Sequence, residues 1–163
     1  MLILTDGIIT DLHTTTRLRG SYVYLATPYS RYKDGLEAAF RDACVAAKQL
    51  MNERIPVFCP IAHSHPIAMA TGHDPRDHGF WMTADSVMMR RAACLLVCKM
   101  PGWDESRGVE IETLKFRDDG KRVFYAEWKP IGLLPDPEHD AQCRRRFDRT
   151  FADSLSEALK RNE

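Results

Sequence analysis

The sequence predicts an α/β fold in which a mostly parallel sheet is covered by helices on both faces. Three observations support this. The runs "SYVYLA" (21–26), "IPVFCP" (55–60) and "CLLVC" (94–98) are continuously apolar rather than alternating, as strands buried on both faces are. The segments between them carry apolar residues every three or four positions, the period of a helix packed on a core. Each run gives way to polar residues rich in Pro and Gly, so strand, turn and helix follow one another along the chain.

Taken in order, residues 1–20, ending "HTTTRLRG", show no clear period and read as a loosely held N-terminal arm or an extra edge element. The first strand ends at "TPYSR", a turn carrying Pro28. A helix follows, with Leu36, Phe40, Cys44, Ala47 and Met51 as its apolar stripe. After the second strand, "IAHSHPIAMATGHDPRDHG" (61–79) reads as a long polar loop containing His63, His65, His73 and His78. "FWMTADSVMMRRA" (80–92) resumes a helical pattern with Trp81, Ala84, Met88 and Ala92 on one side. The third strand, a turn at Pro101-Gly102, a helix from about Ser106 to Arg117 and the strand "RVFYAEW" (122–128) complete the alternation. Phe147, Phe151, Leu155 and Leu159 recur at four-residue steps within 138–161, which predicts a C-terminal amphipathic helix. The expected organisation is an arm over 1–20 and one α/β domain over 21–163.

At 163 residues the chain is long enough for one ordinary core. Its 23 basic and 23 acidic side chains balance, so there is no general field to hold duplex nucleic acid. The run Arg144-Arg145-Arg146 reads as a solvated helix face. Five cysteines without paired spacing do not describe a disulfide framework and point to a reduced compartment; Cys94 and Cys98 act as small hydrophobes in a strand. No apolar stretch approaches the roughly 20 residues of a membrane span, and the N-terminus lacks the layout of a secretion signal. A soluble, cytoplasmic protein without a membrane partner is expected.

In parallel sheets the ligand crevice lies beyond the carboxyl ends of the strands. Three polar segments emerge there: "TPYSR", the histidine loop and "PGWDESRG". In "DESRGVEIE" a hydroxyl, an Arg and a Gly open a helix whose free N–H groups and dipole favour an anion, although Ser106 or Asp104 serving only as an N-cap is the plainer reading. The histidines, with Asp74 and Asp77, are ligand types that suit zinc or a non-haem iron, but no fixed motif such as H-E-x-x-H is present. "YLATPYSR" lacks both the Walker pattern and G-x-G-x-x-G, so neither ATP nor a dinucleotide is supported.

Together "YLATPYS", "FCPIAHSHPIA", Trp81 with Asp85 four residues on, and "PGWDESRGVEIE" followed by "GKRVFY" resemble the DUF1937-type branch of the nucleoside 2-deoxyribosyltransferase-like superfamily, which also includes nucleoside 5'-monophosphate N-glycosidases. The resemblance covers about residues 21–126, and its most specific part is Ser-x-Gly with a Glu six residues after the Ser. It implies a flavodoxin-like or Rossmann-like sheet and reaction at C1' of a nucleoside or nucleotide sugar. Glu112 falls on the nucleophile, Asp85 on the Asp of the helix before the third strand, and Tyr24 on the Tyr near the end of the first. Ser106 and Gly108 fall on positions that contact the sugar or its 5' group, faced by the turn that runs from Thr27 through Pro28, Tyr29 and Ser30 to Arg31. "ATPYS" departs from the Gly/Ser-rich phosphate turn of the monophosphate hydrolases, and the histidine loop is longer. Relatives form dimers or larger homo-oligomers, and the chemistry needs neither cofactor nor metal.

The residue types suit that chemistry. Breaking an N-glycosidic bond passes through an oxocarbenium-like state, which a carboxylate can trap as a glycosyl ester before water or a second base displaces it. Tyr24 would hold that carboxylate, and Asp85 would orient a sugar hydroxyl or protonate the departing base. His63, His65, Trp81 and Trp103 would frame the base. Two alternatives stand beside this: a metal-dependent hydrolase built on the histidine loop, and a nucleotide-binding sensor without turnover. Glu110 competes with Glu112, since about 100° per residue sets the two some 200° apart on an ideal helix. They are not expected to face the crevice together, and the motif's spacing selects Glu112.

Overall fold

The computed structural model describes residues 1–129; the C-terminal amphipathic helix expected at 138–161 lies outside them. Among the described residues five strands form one sheet and five helices cover it. The elements are β1 (Leu2–Ile3), α1 (Asp6–Arg19), β2 (Val23–Ala26), α2 (Leu36–Asn52), β3 (Val57–Phe58), α3 (Pro60–Thr71), α4 (His78–Arg91), β4 (Cys94–Lys99), α5 (Arg107–Asp118) and β5 (Val123–Trp128). The strand order is β1-β5-β4-β2-β3. β3, β2, β4 and β5 are parallel neighbours, with Tyr24 opposite both Phe58 and Leu95, and β1 joins β5 antiparallel through Leu2 and Trp128.

Side chains of a strand alternate between the two faces of a sheet, and two cores result. Val23, Leu25, Cys94, Leu96 and Cys98 point to the side covered by α1 and α2, where they meet Leu12, Ala39, Ala43, Ala46 and Leu50. Tyr24, Ala26, Leu95 and Val97 point to the other side, against Met89 of α4 and Val109 and Phe116 of α5. Cys94 and Cys98 are fully buried free thiols, as small hydrophobes would be. No helix among the described residues is long and apolar enough to cross a membrane.

Several expectations need correction. Residues 1–20 are not a loose arm: Thr5 caps α1 through its side chain, Gly20 closes it in the left-handed conformation, and Leu2 and Leu12 are buried in the α1–α2 core. The edge element that the sequence also allowed is β1, whose Leu2 N–H donates to Gln49 Oε1 at 2.6 Å. The histidine loop is mostly helix α3. Pro60 stands at its start, where a missing N–H costs nothing, and Gly72 ends it at φ 71°. Pro66 lies inside the helix on its exposed side.

The stripe expected on α2 is also displaced. Ala39, Ala43, Ala46, Ala47 and Leu50 face the sheet, Met51 is 58% exposed, and Phe40 turns toward α3 to stack on His65 at 4.5 Å. Small residues let the helix approach the sheet closely, so the buried face carries the alanines rather than the larger side chains. On α4 the inward positions are Asp85 and Met89, with Met82 packed beside them, while Ala84 is exposed and Trp81 and Met88 are half-buried. A carboxylate occupies a core position of α4, and counting apolar residues alone rotates that helix wrongly.

Candidate functional site

The three expected segments do meet at the carboxyl edge of the sheet, around a cleft of about 550 Å³. The β2–α2 turn supplies Thr27, Pro28, Tyr29, Ser30 and Arg31. The start of α3 supplies Pro60, Ile61 and Ser64; the loop before α4 and α4 itself supply Pro75, Arg76, His78, Trp81, Met82 and Asp85. The β4–α5 turn and α5 add Gly102, Asp104, Glu105, Ser106, Arg107, Gly108, Glu110 and Glu112. The turn after β4 reverses sharply at Gly102, whose φ of 79° favours glycine.

Glu112 is one of two buried acids of this cleft, 7% exposed, and its Oε1 accepts the Tyr24 hydroxyl at 2.9 Å. Tyr24 reaches it because its position in β2 faces the α4–α5 side, where its ring packs against Phe58 and Phe116. Burial pushes the Glu112 carboxyl up to about 8, the Tyr24 hydrogen bond opposes that rise, and the charge of Asp85 adds to it. Asp85, also 7% exposed, is raised by burial to about 6, against a pull in the other direction from His63. Tyr24 is raised well above the ordinary phenol range by burial, then by the charges of Glu112 and Asp85, so it remains a neutral donor. Two buried carboxyls held above their ordinary range in one cleft are an arrangement a fold does not need for stability, and such groups cluster where proton and bond-making chemistry takes place.

Beside them, the start of α5 is open. Ser106 is the N-cap but its side chain makes no capping bond, and beyond the adjoining helix backbone a Cβ at Gly108 would meet only Ser106 Oγ, at 3.9 Å. The first N–H groups of a helix have no partner within it. Facing them, Thr27 is 6% exposed and its Oγ1 has no hydrogen-bond partner among the described residues. A buried hydroxyl without a partner is costly in a closed protein and useful in a binding site.

Of the residues singled out in the sequence, Thr27, Pro28, Ser30, Arg31, Trp81, Asp85, Ser106, Gly108 and Glu112 line the cleft, and Tyr24 supports it through Glu112. Glu110 lines it as well, which corrects the expectation that only one of the two glutamates could: the cleft wraps around the first turn of α5, with Glu110 exposed and Glu112 buried. His63 and His65 do not line it. His63 is exposed with its ring 5.8 Å from that of Phe58, and His65 is buried between Tyr29, Glu37 and Phe40. Trp103 packs against Tyr125 of β5, with the ring centroids 5.8 Å apart, rather than in the cleft. Tyr29 and Arg76 lie within the polar segments expected at this edge; neither was singled out for a role, and both line the cleft.

The histidines do not assemble a metal site. His73 pairs with Asp77 at 3.4 Å and packs on Phe80 and Trp81, and no three His, Cys, Asp or Glu side chains converge among the described residues. The metal-dependent alternative therefore finds no ligand set among them.

Fold and cleft together define an α/β protein with paired buried carboxyls at the carboxyl edge of a mostly parallel sheet. The chain belongs to the DUF1937 family, a domain of unknown function whose family model matches residues 21–128, about two thirds of the chain. No curated protein shows a match to it.

Proposed function

We propose that this protein cleaves or transfers at the N-glycosidic bond of a nucleoside or nucleoside 5'-monophosphate, with Glu112 as nucleophile. The observation that carries this is the Tyr24–Glu112 hydrogen bond at 2.9 Å on a buried carboxylate that shares its cleft with Asp85. The order of the four parallel strands, β3-β2-β4-β5, is compatible with the 2-1-3-4 order that opens a flavodoxin-like sheet, which supports the same superfamily reading.

In this mechanism the Glu112 carboxylate attacks C1' as the C1'–N bond breaks, forming a glycosyl ester. The electron pair of the broken bond leaves with the base, and Asp85, when protonated, delivers the proton that the base acquires. Water or a second base then gives its proton to Asp85 and attacks C1', and cleavage of the ester C1'–O bond returns Glu112 to its carboxylate. Tyr24 donates to Oε1 throughout and directs the other oxygen toward the sugar. Desolvation makes the carboxylate a stronger nucleophile once deprotonated. A 5'-phosphate would sit at the uncapped start of α5, near Ser106, Gly108 and the unpartnered Thr27 hydroxyl, with Arg31 and Arg107 available for charge-assisted contacts.

The test is a chromatographic assay of free base released from a panel of nucleosides and nucleoside 5'-monophosphates, in parallel with binding of the same compounds. Base release from at least one, with tighter binding of the monophosphate, is expected. Binding without any release would move the protein to the sensor reading.

A further inference from the structure

His65 has both ring nitrogens engaged away from the cleft. Its Nδ1 lies 2.7 Å from the Tyr29 hydroxyl, its Nε2 3.1 Å from Glu37 Oε2, and its ring is stacked on Phe40 at an interplanar angle of 16°. It is 4% exposed, whereas Glu37 is 72% exposed at its side chain. A carboxylate only accepts hydrogen bonds, so Nε2 carries a hydrogen and donates it to Glu37. In the neutral ring that leaves Nδ1 as acceptor for the Tyr29 O–H.

Tyr29 stands in the middle of the turn that presents Thr27, Ser30 and Arg31 to the cleft, and it is itself 8% exposed there. The turn's own backbone bonds are sparse: Tyr32 N–H donates to Tyr29 C=O and Gly35 N–H to Tyr32 C=O, each at 3.0 Å. Tyr32 is tied onward to Asp42 of α2, so the side-chain bond that ties the turn across to α3 is the one from Tyr29 to His65. Arg76, on the loop that follows α3, also lies close enough for its charge to act on the Tyr29 hydroxyl.

We infer that His65 is a positioning residue, which fixes the ligand-binding turn between β2 and α2 by holding Tyr29. The consequence for turnover rests on the N-glycosidase reading: Tyr24, Asp85 and Glu112 lie on other elements, so loosening this turn weakens substrate binding and spares the bond-breaking step.

Two substitutions separate this from simple packing. In His65→Asn the side-chain oxygen occupies the place of Nδ1 and can still accept from Tyr29, but nothing reaches Glu37. In His65→Gln the amide nitrogen replaces Nε2 and nothing accepts from Tyr29. Tyr29→Phe removes the same bond from the other side with the smallest change in shape. Hydrogen exchange, followed by mass spectrometry on the full-length protein without ligand, reads the turn at Tyr32 and Gly35.

His65→Gln and Tyr29→Phe should speed exchange there on the order of tenfold, the scale of one buried hydrogen bond, while His65→Asn stays within about twofold of the parent. With any nucleotide that the parent hydrolyses, His65→Gln should raise KM about tenfold, leave kcat within about twofold, and be rescued in His65→Asn. Equal exchange in His65→Asn and His65→Gln, or faster exchange in α3 with none in the turn, would overturn the inference. The exchange result decides it even if the parent releases no base, in which case the N-glycosidase reading alone fails.

Discussion

In the proposed role Glu112 is under two opposed demands, since a nucleophile must be ionised and a buried carboxyl resists ionisation. In the unfolded chain it titrates near 4.5, in the folded protein near 8. Between these values the folded state holds a proton that the unfolded state has lost, so this group lowers stability as pH rises from about 4.5 to about 8, and its effect is flat outside that window. Glu112→Gln keeps an acceptor for Tyr24 and removes the charge. Thermal melts should show it stabilised by on the order of a few kcal/mol at pH 8 and little changed at pH 4.5; equal effects at both would mean that burial of the charge is not what raises Glu112. The proposed reaction would supply a second titration. If Asp85 protonates the base, the active form has Glu112 ionised and Asp85 protonated, and kcat/KM should rise through about 6 and fall through about 8. Asp85→Asn should abolish the falling limb. A profile of the parent that climbs through 8 and stays high would assign Asp85 to the sugar hydroxyl instead. Tyr24, Asp85 and Glu112 were singled out through a resemblance to a known superfamily, and the structure brings them together at one cleft. Tyr29 and Arg76 lay in segments expected at this edge, but their approach to one another was not legible, because it is a tertiary contact between positions more than 40 apart.

The four parallel strands and three of the helices followed from apolar runs and periodicity, whereas two helix faces and two whole helices, α1 and α3, did not. Prolines at 60 and 66 and closely spaced histidines suggest a loop at α3, yet a proline at the first helical position is compatible with a helix and Pro66 is accommodated within it. On α2, large apolar residues suggest the buried face, but alanines form it. Substitutions on the two faces should therefore differ sharply. Ala43→Leu forces three carbons into a position with no exposure and should lower stability by about 1–3 kcal/mol or more in urea unfolding. Met51→Ser should stay within about 0.5 kcal/mol, its side chain being 58% exposed. The reverse order would restore the stripe read from the sequence. For α4 the misleading residue is Asp85 itself: the acid that breaks the hydrophobic pattern is the one that lines the cleft.

At the scale of the whole molecule, the family match begins at residue 21 while the core begins at Leu2. Deleting residues 1–20 removes Leu2 and Leu12 from the α1–α2 core and uncovers the β5 edge. Losing even one such leucine typically costs about 2–5 kcal/mol, a large part of a domain's stability. The truncated chain should lose its cooperative unfolding transition by circular dichroism, and an unchanged midpoint would show that the matched region folds alone. The sheet's parallel order collects the β2 turn, the α4 acid and the start of α5 at one edge, so that Glu112 meets Tyr24 across 88 positions of sequence. Whether that meeting makes a nucleophile is most directly tested by quenching the protein during reaction with nucleoside and nucleoside 5'-monophosphate substrates and locating any glycosyl ester by peptide mass spectrometry. The adduct should lie on Glu112, with release of free base; Glu112→Ala should abolish both, and Glu110→Ala should leave substantial turnover. An adduct on Glu110, or base release that persists in Glu112→Ala, would contradict the proposed role of Glu112.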